Sequence, residues 1–117
     1  MNLELSIIIP TLNRKDELEQ LIKSIIVLPV LENKIEIIVI DQNDPSFLND
    51  LRIKYNYINW QSVCFRGLSK AKNYGFTLCK GKWVLFPDDD SMFLDNTLST
   101  FLKMKDSEYD IICGKCI

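Results

Sequence analysis

Residues 3–26 read LELSIIIPTLNRKDELEQLIKSII and contain two hydrophobic patterns in succession. The first pattern, residues 3–10, is a nearly continuous apolar run with three consecutive isoleucines, which is typical of a strand covered on both faces. The second pattern predicts an amphipathic helix over residues 14–26, because its apolar residues recur at helical spacing: Leu18, Leu21, Ile22, Ile25 and Ile26. A buried strand followed by a one-sided helix predicts an α/β domain.

The alternation of strand and helix continues along the chain. Further strands are predicted at residues 35–40, 57–65, 83–86 and 110–117, and further helices near Pro45, over residues 68–79 and after Asp95. This order is typical of a doubly wound, mostly parallel sheet with helices on both faces. Ligands of such sheets bind outside the carboxyl ends of the strands, so the residues that follow each strand are the candidates for a site.

Composition limits the classes of function. The 117 residues suit one domain, and 47% hydrophobic with 26% charged residues is a globular composition. Fourteen basic against sixteen acidic residues remove the usual driving force for nucleic-acid binding. No apolar run approaches the roughly 18 residues of a membrane span, and the start of the chain lacks the basic segment of a signal peptide. We therefore expect a cytoplasmic protein, with attachment to the inner face of the membrane left open.

The cysteines and the absence of histidine exclude other chemistry. Without histidine, Ser–His and Cys–His nucleophile pairs are excluded. The CGKC segment at residues 113–116 could form half of a zinc site or a redox pair, but a zinc site needs more ligands. A redox pair should begin a helix, and this segment is predicted to be a strand. The sequence favours ordinary buried thiols for the four cysteines.

Polar residues follow three of the predicted strands. The residues expected at the carboxyl edge of the sheet are Pro10, Thr11, Asn13 and Arg14 after the first strand, Asp41 after the second, and Asp88, Asp89 and Asp90 after the fourth. Asp41 suits a ribose hydroxyl or a base N–H, although an Asp turn is an equally good explanation. Asn13 is alternatively the N-cap of the first helix.

Three successive carboxylates, Asp88 to Asp90, are the sharpest of these features. Two unit charges about 5.5 Å apart repel by roughly 3 kcal/mol at an effective dielectric constant near 20, so a cation would stabilise the group. Mg²⁺ or Mn²⁺ prefers such oxygen ligands and often shares them with substrate phosphates. The alternative is a solvated acidic turn that caps the next helix.

A basic segment surrounds the start of the helix predicted at residues 68–79. Arg66, Lys70 and Lys72 lie near backbone N–H groups that a helix start leaves available, which suits a diphosphate. The alternative is that the lysines only form the solvated face of a helix.

Four segments together resemble the successive motifs of family 2 glycosyltransferases, which have a GT-A fold. They read SIIIPTLNR (6–14), EIIVIDQND (36–44), RGLSKAKNYGF (66–76) and KWVLFPDDD (82–90), in the order and spacing of that family. The resemblance implies a GT-A-like, Rossmann-like doubly wound sheet and a nucleoside diphosphate sugar as donor. It covers nearly the whole chain.

The resemblance also implies roles for individual residues. Donor-binding residues would be Pro10, Thr11, Asn13, Arg14, Asp41, Lys70, Asn73, Asp88 and Asp89. Asp90 and Asp88, the outer acids of a DxD motif, would hold Mg²⁺ or Mn²⁺, which neutralises the diphosphate leaving group. One position departs from the family: many members carry a second acid after the residue that matches Asp41, and here Gln42 stands there. The nucleobase is therefore left open among uracil, guanine and thymine.

The resemblance further implies a division of labour along the enzyme. Residues 1–117 would form the donor-binding half, with the acceptor-binding half and the general base expected beyond residue 117. The enzyme would be inverting, and would act on a saccharide or lipid-linked acceptor in cell-surface polysaccharide or glycolipid biosynthesis. The chain alone would bind donor and transfer little sugar. An uncovered sheet edge would also favour self-association.

Rival classes fit the residues less well. A phosphoacceptor receiver domain needs acids after its first strand, where this chain has Pro10 and Thr11. A sugar nucleotidyltransferase would have a glycine-rich loop at the same place. A non-catalytic nucleotide-binding or protein-interaction module of the same fold remains an alternative.

Overall fold

A computed structural model describes residues 3–26 and 35–89. Within them the strands are β1 (Leu5–Thr11), β2 (Ile35–Asp41), β3 (Asn59–Ser62) and β4 (Trp83–Leu85), and the helices are α1 (Lys15–Ile26), α2 (Asn49–Lys54) and α3 (Leu68–Leu78). The elements follow one another as the sequence predicts. The predicted helix after Asp95, the strand at residues 110–117 and the CGKC segment lie outside the described residues.

The described strands form a parallel sheet in the order β3-β2-β1-β4. β1 pairs with β2 along its whole length, but β4 pairs only with the first half of β1, from Leu5 to Ile7. β2 and β3 follow one another on one side of β1, and β4 then pairs with the other side of β1. A crevice is expected at such a reversal, here between the carboxyl ends of β1 and β4.

Helices cover both faces of the sheet, as predicted. Successive residues of a strand point to opposite faces, so Ile7 and Ile9 enter one core and Ile8 enters the other. The first core packs against α1 and α2, and the second packs against α3 through Ala71. At Gly75 a Cβ would lie 2.4 Å from Cγ2 of Ile8, so a glycine lets α3 approach the sheet closely.

Two predicted boundaries are wrong for local reasons. The helix predicted near Pro45 begins only at Asn49, because Ser46 adopts a φ of 80°, which a helix cannot contain. The strand predicted at residues 57–65 is reduced to β3. It starts only at Asn59, because Ile58 N–H donates to the Tyr55 carbonyl and holds the preceding stretch in a turn.

The predicted N-cap role of Asn13 is also wrong. α1 begins at Lys15, and its first intrahelical bond runs from Leu18 N–H to the Arg14 carbonyl. Asn13 lies one residue earlier with a φ of 60°, whereas an N-cap residue normally has extended backbone. Its own N–H donates to Oδ1 of Asn43 at 2.6 Å, so it joins the loop after β1 to the loop after β2.

Three further predictions concern the cysteines, membrane spans and self-association. The expectation of buried thiols is wrong for Cys64, which is exposed, and Cys79 is only partly buried. No helix in the described part of the chain is long and apolar enough to span a membrane. The predicted self-association through a sheet edge stays a prediction.

Candidate functional site

A cavity of about 550 Å³ opens at the carboxyl end of β1, next to the residues that follow β4 and the amino end of α3. Its lining residues are Pro10, Leu12, Arg14, Gln42, Gly67, Leu68, Asp88 and Asp89. This is the volume of a small-molecule site. The cavity lies at the reversal of strand order, where β4 no longer pairs with β1, so the topology explains its position.

Charged side chains of both signs face this cavity. Asp89 is largely buried, with 14% of its side chain exposed, and its Oδ1 lies 3.7 Å from Nε of Arg14. Asp88 precedes it on the same wall and is exposed. The third predicted acid, Asp90, lies outside the described residues. The loop after β1 and the segment after β4 therefore meet at the cavity, as the sequence predicts.

The described carboxylates of the cavity lining are of the ligand type that a divalent cation takes in proteins. Within residues 3–26 and 35–89, no group of three or more acids or cysteines is arranged to hold a metal ion by itself. Mg²⁺ typically takes one or two carboxylates and completes its shell with water and phosphate oxygens. Asp88 and Asp89 supply hard oxygen donors of this kind.

Asp41 lies beside the cavity and is held by a network of its own. The residue is buried, and its Oδ1 accepts hydrogen bonds from the backbone N–H and the side-chain amide of Asn43, at 2.9 and 2.8 Å. Its Oδ2 accepts a hydrogen bond from Arg52 of α2 at 2.9 Å. Arg52 also donates to Ser62 Oγ and lies 5.7 Å from the ring centroid of Trp60. The Asp41 carboxylate is thus fixed in one orientation.

Gln42 is the site residue whose role the sequence did not predict. It is buried, and its Oε1 accepts a hydrogen bond from Gly67 N–H at 2.8 Å. Its Nε2 donates to the Thr11 carbonyl at 3.4 Å. The position directly after a predicted strand was the available signal, but the partners lie far away along the chain.

The predicted donor-binding residues separate into two groups. Those that line the cavity are Pro10, Arg14, Asp88 and Asp89. Those that do not are Thr11, Asn13, Asp41, Lys70 and Asn73. Thr11 is buried, and its Oγ1 has no hydrogen-bond partner among the described residues. Their parts in donor binding stay predictions.

The basic residues near α3 lie away from the cavity wall. Arg66 is exposed and its guanidinium lies 3.9 Å from a carboxylate oxygen of Asp44. The ammonium of Lys72 lies 5.6 Å from the ring centroid of Phe86. The wall at this end of α3 is formed instead by Gly67 and Leu68.

Comparison with known sequences agrees with the resemblance. A family model described as glycosyl transferase family 2 matches residues 6–117. The chain is 34% identical over 127 aligned residues to GalNAc(5)-diNAcBac-PP-undecaprenol beta-1,3-glucosyltransferase of Campylobacter jejuni. That match covers 97% of this chain and 38% of the Campylobacter protein.

Solved structures share the fold. TarS of S. aureus in complex with UDP-GlcNAc superposes with a TM-score of 0.72 at 26% identity, covering 89% of this chain and 31% of that one. The mannosyltransferase PcManGT of Pyrobaculum calidifontis, in complex with GDP-Man and Mn²⁺, gives a TM-score of 0.76 at 21% identity. The superposition covers 92% of this chain and 34% of PcManGT. At this sequence identity it shows only that the two proteins share a fold. The chain spans less than two fifths of each of these relatives.

Proposed function

The chain belongs to glycosyl transferase family 2, with a GT-A-like fold, and we propose that its cavity binds the donor of a sugar-transfer reaction. The donor would be a nucleoside diphosphate sugar, and the acceptor a hydroxyl group. The observation that carries the proposal is the 550 Å³ cavity at the reversal of strand order, lined by Arg14, Asp88 and Asp89. TarS, which shares this fold, binds UDP-GlcNAc.

In this proposal the residues after β1 and β2 hold the nucleoside. Pro10 supplies an apolar surface on the cavity wall. Asp41 accepts a hydrogen bond from base or ribose while Arg52 and Asn43 keep its carboxylate oriented. Thr11 ends β1, and Asn13 joins the loop after β1 to the loop after β2, so both residues help to position Pro10 and Asp41.

The charged wall would then receive the diphosphate. Arg14 is the cation of the described lining, and it already lies near Asp89. Asp88 and Asp90 would hold Mg²⁺ or Mn²⁺, which supplies charge neutralisation of the leaving diphosphate when bound. Lys70 and Asn73 would approach the donor from α3. Because the described lining holds two carboxylates and one guanidinium, it repels a diphosphate unless a cation is present.

The acceptor and the chemistry of transfer extend the proposal. We propose a saccharide or lipid-linked acceptor in cell-surface polysaccharide or glycolipid synthesis, at the cytoplasmic face of a membrane. The Campylobacter relative, a glucosyltransferase named for GalNAc(5)-diNAcBac-PP-undecaprenol, supports this class. We also propose inverting transfer with a general base outside the described residues, and little turnover by the 117-residue chain alone.

A thermal-shift panel tests the donor site. The chain is heated with UDP, GDP or dTDP, each with Mn²⁺ or with a chelator. A ligand at about 100 times its Kd stabilises the folded state by about 2.7 kcal/mol, which raises Tm by several degrees in a domain this small. We expect a metal-dependent shift with one nucleotide.

Matched variants test which acidic residues the nucleotide-induced shift in Tm depends on. Asp88→Ala and Asp90→Ala should lose the shift, whereas Asp44→Ala, which removes an exposed acid outside the cavity lining, should keep it. No shift with any nucleotide would overturn the proposal and favour a protein-interaction module. A shift that survives the chelator and both substitutions, Asp88→Ala and Asp90→Ala, would remove the metal from the proposal. Sugar transfer by the isolated chain would contradict the expected lack of turnover.

A further inference from the structure

The side chain of Gln42 connects three elements at the cavity. It follows β2, its Oε1 accepts the N–H of Gly67 at 2.8 Å, and its Nε2 donates to the Thr11 carbonyl at the end of β1. Its backbone N–H donates to the same carbonyl at 3.1 Å. Gly67 directly precedes α3, and both Gln42 and Gly67 line the cavity. One buried amide therefore joins the amino end of α3 to the two central strands.

Side-chain packing at Gly67 is sparse in the described part of the chain. A Cβ built on Gly67 meets no atom of residues 3–26 and 35–89 within 4 Å. α3 is held against the sheet further along, where Ala71 and Gly75 are buried. The hydrogen bond to Gln42 directly connects Gly67 to the residue that follows β2 and, through the same side chain, to β1.

A glutamine amide makes both side-chain contacts while carrying no charge. It has an acceptor and a donor, so it satisfies an N–H and a carbonyl at once. An ionised glutamate would accept from Gly67 but could not donate to Thr11. A methionine of similar length would do neither, leaving the Gly67 N–H without its acceptor.

The residue at position 42 also affects the net charge of the cavity lining. The described lining carries Arg14 against Asp88 and Asp89, and Gln42 adds no charge. The Gln42 side chain lies out of water, with the residue 7% exposed, so a carboxylate there would be weakly screened. A third negative group would oppose an anionic ligand while affecting an uncharged one much less.

We propose that Gln42 is a positioning and specificity-determining residue of the donor site. Its amide fixes the amino end of α3 against β1 and adds no further negative charge to a cavity that receives a nucleoside diphosphate. This inference rests on the proposed donor-binding function.

Calorimetric titration of the 117-residue chain, in buffer with Mn²⁺, tests the charge. Wild type, Gln42→Glu and Gln42→Met are titrated with UDP and uridine, and with GDP and guanosine. Gln61→Glu is the matched control, since it makes the same change in a residue outside the cavity lining. Gln42→Glu should weaken the binding of the nucleoside diphosphate about tenfold and the binding of its nucleoside less than about threefold. Gln42→Met should weaken both in the same proportion, and Gln61→Glu should change neither.

Hydrogen exchange of the Gly67 amide tests the positioning without a nucleotide. In Gln42→Met this amide should exchange at least about tenfold faster relative to that of Ile8, which reports the core. In Gln42→Glu, which keeps the acceptor, protection should persist, so this variant serves if Gln42→Met does not fold.

The outcomes separate the two proposals. Equal losses of UDP and uridine affinity in Gln42→Glu would overturn the role in charge. Unchanged Gly67 protection in Gln42→Met would overturn the role in positioning. A wild-type chain that binds none of UDP, GDP and dTDP would overturn the proposed function and the donor role of Gln42 with it, while the exchange result would still decide whether the amide holds Gly67.

Discussion

The two ends of the sheet use polar residues in opposite ways. At the amino end, Ser6 is fully buried, its hydroxyl donates to Glu36, and it accepts the N–H of Gly81 at 2.8 Å. Glu36 also accepts the N–H of Lys80, so the α3–β4 connection is tied to β1 and β2. At the carboxyl end, Arg14 and Asp89 face a cavity of about 550 Å³.

The difference follows from how the strands pair. β4 lies against β1 only from Leu5 to Ile7, so the connection that enters β4 is packed against the backbone of β1. A Cβ on Gly81 would lie 2.6 Å from the backbone nitrogen of Ser6. Beyond Ile7 the pairing stops, and the residues after β4 diverge from β1 beside the cavity. One end of the sheet is thus closed and stabilises the fold, and the other is open to a ligand.

The largest expected effect is at the closed end. Gly81→Ala would force a methyl group into backbone atoms that cannot move without shifting β1, so we expect a loss of about 3 kcal/mol in the free energy of unfolding. Urea denaturation measures this loss.

Gly67→Ala is the matched change at the open end. Its Cβ meets none of the described residues within 4 Å, so the free energy of unfolding should hardly change. Nucleotide binding should weaken, because the methyl group narrows the cavity. Equal stability losses in the two variants would contradict the distinction between a closed and an open end.

A smaller effect is expected from the residue that orients Asp41. Arg52→Met would leave a carboxylate with 5% of its side chain exposed without its cation, and we expect a loss of roughly 2 kcal/mol in the free energy of unfolding. Lys54→Met removes a cation from the same helix, but its partner Glu19 lies on α1, away from the cavity. The Lys54→Met variant should lose much less stability than Arg52→Met and should keep its nucleotide affinity. Similar losses in both would show that Asp41 does not depend on Arg52.

The smallest effect concerns pH and lies away from both ends. Hydrogen bonds from Lys54 and then Tyr55 lower the pKa of Glu19 in the folded chain. A lowered pKa means that this contribution is present above the unfolded value near 4.5 and is lost as the pH falls through the folded value. Wild type should therefore lose stability below about pH 4.5 more steeply than Glu19→Gln, as urea midpoints measured between neutral and acid pH would reveal.

Glu17→Gln is the control for this pH dependence. Glu17 is exposed on the same helix, and its replacement should leave the acid-side slope unchanged. If Glu19→Gln also kept the wild-type slope, the link between α1 and α2 would not depend on the ionised carboxylate.

Local patterns predicted most of the architecture over the described residues. The isoleucine run of β1 and the helical spacing of α1 determined these elements, because burial on two faces or on one stripe requires a fixed apolar period. The predicted alternation placed Pro10, Arg14, Asp88 and Asp89 at one edge, and in the structure these four line one cavity. The errors in element boundaries lie where short segments form turns, as at Ser46 and Ile58, because a turn carries no hydrophobic period.

By itself, then, the sequence determined the order of strands and helices and the edge of the sheet that carries the site. Only the tertiary structure decided which polar groups meet there. Asp41 is oriented by Arg52 from α2, and Gln42 receives the N–H of Gly67, which lies 25 residues further along. Hydrophobic periodicity is a local property of the chain, whereas a hydrogen bond depends on the distance between two groups, which is set only when the sheet and helices pack.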